Sequence, residues 1–150
     1  MFDATGKTLI ESVISITQGE NNRIANLANI SSLIALYTDR INWAGFYLLE
    51  GNELVLGPFQ GKPACVRIPI GKGVCGTSAE RKETIVVDDV EEFPGHIACD
   101  SASRSEIVVP IVKNGELIGV LDIDSPELAR FSDVEKDVFE RIVKIIEDFY

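Results

Sequence analysis

The stretch that decides the fold is SEIVVPIVKNGELIGVLDIDS, Ser105 to Ser125. Two runs of aliphatic and β-branched residues flank Asn114-Gly115, a strong short-range β-hairpin signal, because both residues tolerate the left-handed backbone of a tight turn. The second run ends in VLDIDS, where Asp122 and Asp124 alternate with Leu121 and Ile123. Alternation along a strand puts both carboxylates on one face. Glu106 opens the first run, and its face depends on the turn. A two-residue loop pairs Lys113 with Glu116 and turns Glu106 away from Asp122. A three-residue loop with Gly115 as a bulge, or a bulge nearer the site, brings Glu106 to the same face. The sequence permits either register, and a solvated strand end is the ordinary explanation for such charges.

The rest of the chain reads outward from this hairpin. NWAGFYLLE (42–50) and ELVLGPF (53–59) are strand-like around a Gly51-Asn52 turn, ACVRIPI (64–70) is a third strand, and TIVVDDV (84–90) a fourth. Before them, Leu9, Ile10, Val13 and Ile16 lie at helical spacing, as do Ile24, Leu27 and Ile34, with Asn21 placed to cap the second helix. GKGVCGTSAERK (71–82) reads as a glycine turn leading into a short helix. A final helix is marked by Ser132 and Glu135 as a capping box, with Phe131, Val134, Val138, Ile142, Ile145 and Phe149 as its apolar stripe. Helices, then strands, then a helix define an α+β fold: one antiparallel sheet with N- and C-terminal helices packed on it, in a single domain spanning 1–150.

Composition narrows the function classes. The chain has 150 residues, 45% hydrophobic and 25% charged, with a formal net charge of −10. That balance describes a globular protein and disfavours nucleic acids and anionic membranes, which need a basic footprint. The N-terminus lacks a signal-peptide pattern and no segment is apolar enough to span a bilayer, so a cytoplasmic location is expected. GKGVCG lacks the spacing of a phosphate-binding loop.

The cysteines carry the chemistry. Cys65, Cys75 and Cys99 form a C-x9-C-x23-C pattern. That is neither a C-x-x-C redox motif nor a zinc ribbon or finger with His96, so no metal is expected. Cys75 falls in the first turn of the short helix, where the helix N-terminus would lower a thiol pKa, although a small buried hydrophobe is the plain alternative. Cys99 lies in FPGHIACDSASRSE (93–106), a polar loop that offers a thiol no apolar burial, beside Asp100, which would oppose its ionisation. Trp43, Gly45 and Tyr47 share a strand face, with the glycine leaving room between two rings for a small apolar or sulfur-bearing group; ordinary core packing is the alternative.

NWAGFYLL, LGPFQGKPACVRIPIGKGVCG, FPGHIACDSASRSEIVVP and GVLDIDS together resemble the free methionine-R-sulfoxide reductases, a family built on a GAF domain, over nearly the whole chain. None of the positions discussed departs from the family pattern. The resemblance implies that Cys99 is the catalytic cysteine, Cys65 the partner that forms a disulfide with it, and Cys75 an auxiliary cysteine. It implies that Glu106, Asp122 and Asp124 hold the substrate and assist catalysis, with Trp43 and Tyr47 as an aromatic wall for the methyl sulfoxide. It further implies the free R-sulfoxide as substrate, thioredoxin as reductant and no cofactor. The sequence is compatible with a homodimer and does not require one. The competing class is a GAF module that senses a small ligand, or a thiol redox sensor, without turnover.

Overall fold

The computed structural model describes residues 4–97, 99 and 101–150; Asp100 lies outside the described residues. Two helices come first, α1 (Ala4–Thr17) and α2 (Arg23–Tyr37). Strands β1 (Trp43–Glu50), β2 (Glu53–Gly61) and β3 (Arg67–Pro69) follow, then α3 (Gly73–Arg81) and β4 (Ile85–Val87). A 3-10 turn at Val90–Glu92 leads into the polar loop, after which come β5 (Ser105–Lys113), β6 (Glu116–Ser125) and α4 (Asp133–Asp148). The six strands form one antiparallel sheet in the order β3-β2-β1-β6-β5-β4. This is the expected α+β architecture.

The sheet is buried on both faces, which is why its central strands read as almost continuous apolar runs. Ala44, Phe46, Ile107, Val109, Ile111, Leu121 and Ile123 face α1, α2 and α4 and form the larger core. The opposite face carries Trp43, Tyr47, Val108 and Val120 and is covered by α3 with Val74, Cys75 and Ala79. The α4 capping box is present as expected, with Ser132 and Glu135 bonded reciprocally. Three local expectations are corrected. Asn22, not Asn21, caps α2, its side chain accepting from the Ala25 N–H at 2.9 Å. Val134, placed by its spacing in the buried stripe of the last helix, is exposed, since apolar spacing alone does not tell which turn of a helix overhangs the sheet. The strand in ACVRIPI is shortened to Arg67–Pro69, with one further backbone hydrogen bond from the Leu56 N–H to the Val66 carbonyl.

The hairpin register combines both possibilities. Lys113 pairs with Glu116 across a two-residue turn in which Asn114 and Gly115 both have positive φ, 53° and 80°. The ladder then slips: Val112 pairs with Leu117 but Ile111 with Gly119, so Ile118 is an extra residue on β6. This bulge reverses the parity set by the turn and pairs Glu106 with Asp124 and Val108 with Asp122. All three carboxylates therefore face α3 rather than the helical core.

Deleting Ile118 should force a choice between losing the pairing at the turn and rotating Asp122 and Asp124 into the helix-facing core. A loss of at least about 1 kcal/mol, or about 2–4 °C in Tm, is expected in thermal unfolding. An unchanged Tm would mean that the bulge does not set the register.

Candidate active site

A cavity of about 40 Å³ lies between the second face of the sheet, the start of α3 and the polar loop. Its floor is the β1–β6–β5 ladder, where Trp43 pairs with Asp124, Gly45 with Asp122, and Glu106 with Asp124. Glu106 and Asp122 are buried, 7% and 5% exposed. Among the described residues no lysine or arginine forms an ion pair with either. An ionised carboxylate is costly in such a place, so protons replace counter-ions. Burial, then the neighbouring Asp122 charge, pushes Glu106 well above the usual carboxylate range. Burial, then the Asp124 charge, raises Asp122 to about 8. The two acids share a hydrogen bond that favours the proton on Glu106.

Cys75 closes the floor from above. Its Sγ lies 3.9 Å from Glu106 Oε2. It occupies the first turn of α3, yet burial and the adjacent carboxylates push its thiol pKa up, overturning the expectation of a helix-activated thiolate. The helix N-terminus contributes a partial charge, whereas the acids are full charges in a desolvated setting.

The aromatic residues do something the sequence did not show. The Trp43 indole N–H donates to the Lys62 carbonyl at 3.1 Å, and the Tyr47 hydroxyl donates to the Cys65 carbonyl at 2.8 Å. Both rings thus tie down the segment that carries Cys65. The rings stack at 5.9 Å between centroids, and Phe59 stacks on the other side of Trp43 at 5.2 Å. The expectation that Gly45 leaves space for a ligand is corrected. A Cβ at residue 45 would lie 2.3 Å from Phe59 Cβ and 2.8 Å from the Trp43 ring, so the glycine makes room for these protein rings.

Cys99 is joined to Cys65 by a disulfide, with the Cα atoms 5.4 Å apart; Cys99 lines the cavity and Cys65 packs against the apolar cluster beside it. The loop bearing Cys99 is fixed at its ends. Val90 N–H donates to the Arg104 carbonyl and Arg104 N–H to the Ser125 carbonyl, while the Asn42 side chain donates to Ser103 Oγ at 3.1 Å. His96 also lines the cavity, and burial lowers its pKa, favouring the neutral imidazole. Lys72 is at the rim as the N-cap of α3, and its side chain does not cap the helix. Sequence reading did not single out Phe59, Lys72 or Ser103, since each gains its place through a tertiary contact with no local signature. The structure gathers all eight expected site residues: Cys65 packs on the apolar cluster beside the cavity, and the other seven line it.

The GAF domain family matches residues 23–147. The free methionine-R-sulfoxide reductase of Escherichia coli (strain K12) is 53% identical over 133 residues, covering 89% of this chain and 81% of that protein. The chain belongs to the GAF-domain family of free methionine-R-sulfoxide reductases. The Saccharomyces cerevisiae free methionine-R-sulfoxide reductase is 50% identical over 147 residues, covering 92% of this chain and 81% of that one. The X-ray structure of free methionine-R-sulfoxide reductase from Neisseria meningitidis in complex with its substrate superposes with a TM-score of 0.94 at 42% identity, covering 99% and 93% of the two chains.

The raised acids have a stability consequence. A carboxyl whose folded pKa exceeds its unfolded value binds more protons in the native state, so its contribution to stability is complete below the unfolded value and is lost as pH rises through the folded one. For Asp122 that window runs from 3.8 to about 8. Asp122→Asn should therefore raise Tm relative to the parent at pH 8 and show little advantage at pH 4. A variant less stable than the parent at pH 8 would mean that Asp122 is not held against ionisation.

Proposed function

We propose that this pocket reduces free L-methionine (R)-S-oxide to methionine, with Cys99 as nucleophile and Cys65 as the resolving thiol. The observation that carries the reading is the Cys65–Cys99 disulfide beside a cavity floored by buried carboxyl groups. A sulfoxide gives up its oxygen when a thiolate attacks sulfur while the oxygen is protonated. Cys99 supplies the attack, and the Glu106–Asp122 pair, which holds a proton near neutral pH, supplies the acid. The products are methionine and a Cys99 sulfenic acid. The Cys65 thiol displaces water from that sulfenic acid to give the disulfide, and an external dithiol of the thioredoxin class returns both thiols. The two electrons come from the cysteines and the oxygen leaves as water.

Substrate recognition uses the same charges. Asp124 and the Glu106–Asp122 pair meet the α-ammonium of a free amino acid. The α-carboxylate is met by Lys72 and the uncapped first turn of α3, whose N–H groups favour an anion. Trp43 and Tyr47 face the methyl group. A ligand-sensing module needs no second cysteine bonded to the first, which favours turnover over sensing.

Cys99→Ser should abolish single-turnover release of methionine. Cys65→Ser should release about one equivalent and then stall with a thioredoxin-type reductant. Full single-turnover release from Cys99→Ser would refute the assignment. Because the proton donor must be protonated in the free enzyme, kcat/KM should fall as pH rises through about 8, and Asp122→Asn should displace that limb; an alkaline limb unmoved by the substitution would exclude Asp122.

A further inference from the structure

The floor of the cavity holds an arrangement that reduction of a sulfoxide does not by itself require. Cys75 Sγ and one oxygen each from Glu106 and Asp122 lie within 4.8 Å of one another, all buried. Asp122, 5% exposed and lining the cavity, carries an Oδ1 with no hydrogen-bond partner among the described residues. A buried carboxylate oxygen without a donor is costly, and a cation or a water at this point would relieve it.

We propose that Cys75, Glu106 and Asp122 form a binding site for a thiophilic divalent cation of the zinc class. The geometry fits. Tetrahedral zinc, with Zn–S about 2.3 Å and Zn–O about 2.1 Å, sets sulfur and oxygen ligands about 3.6 Å apart. Cys75 Sγ and Glu106 Oε2 are already 3.9 Å apart. The ligands come from three elements packed against each other, α3, β5 and β6, so little ordering remains to be done on binding. Three protein ligands leave a fourth position for water, and all three residues line the cavity. The donor set also selects the ion. A thiolate with two carboxylates suits zinc or cobalt, whereas magnesium and calcium take six or more oxygen ligands. On binding, the Cys75 S–H bond breaks, a metal–sulfur bond forms, and the thiol and carboxyl protons pass to solvent; no electrons move.

The site shares its acids with the proposed substrate pocket, so an ion held there would compete for them. Its existence does not rest on that reading, and a test without turnover separates the two. The disulfide form is the suitable sample, because Cys75 is then the one free thiol of the chain's three. Titration with Co²⁺ should produce a thiolate-to-cobalt charge-transfer band with tetrahedral ligand-field absorption, saturating at one equivalent and bleached by Zn²⁺. Asp122→Asn and Glu106→Gln should each weaken Co²⁺ binding by at least about tenfold. Absence of a thiolate band in the unaltered protein would overturn the proposal and would indicate that water satisfies Asp122. A band of unchanged affinity in both variants would overturn it as well, since the thiol would then bind without the acids.

Discussion

Three carboxylates on one buried sheet face set the terms for the rest of this molecule. Burying such groups without counter-ions is strongly unfavourable, and protonation is the compensation nearest to hand. Because Glu106 and Asp122 are neutralised in this way, the pocket can donate a proton near neutral pH and remains short of a cation. One bulge at Ile118 produces this condition by reversing the parity of the β5–β6 ladder between its turn and its body.

Much of this was legible in the sequence, for reasons that can be named. Asn114-Gly115 announced the hairpin because few residue pairs accept two left-handed backbone positions in succession. The alternation in VLDIDS placed Asp122 and Asp124 on a common face because strand periodicity is rigid. The face of Glu106 was not legible. Ile118 is an ordinary strand residue, and nothing in its neighbourhood distinguishes a bulge from regular pairing. The fate of Cys75 was also hidden. Its place in a helical first turn was readable, but its pKa depends on acids that arrive from strands 31 to 49 residues later in the sequence.

The aromatic pair shows how one set of side chains links packing to chemistry. Trp43 and Tyr47 line the cavity while their polar ends hold the backbone of residues 62 and 65. β1, paired with the strand that carries Asp122 and Asp124, thereby also positions Cys65. Gly45 between the rings keeps Phe59 stacked against Trp43, so the wall is a packed unit rather than two independent contacts. Cys99 sits on the polar loop and Cys65 on the anchored segment, and loops tolerate motion better than such packed elements.

The central claim is that the buried acids read the amino group of a free amino acid. Its most direct test is methionine release from free methionine-R-sulfoxide, its N-acetyl derivative and the free S-sulfoxide, under one reductant. Acetylation removes the cation and leaves the acids unmatched. A charge-assisted hydrogen bond is worth about 1.5–3 kcal/mol, so kcat/KM should fall by about one to two orders of magnitude. The S epimer, which would turn its oxygen to the aromatic wall, should be rejected as well. Equal kcat/KM for the free and acetylated R-sulfoxides would contradict the account.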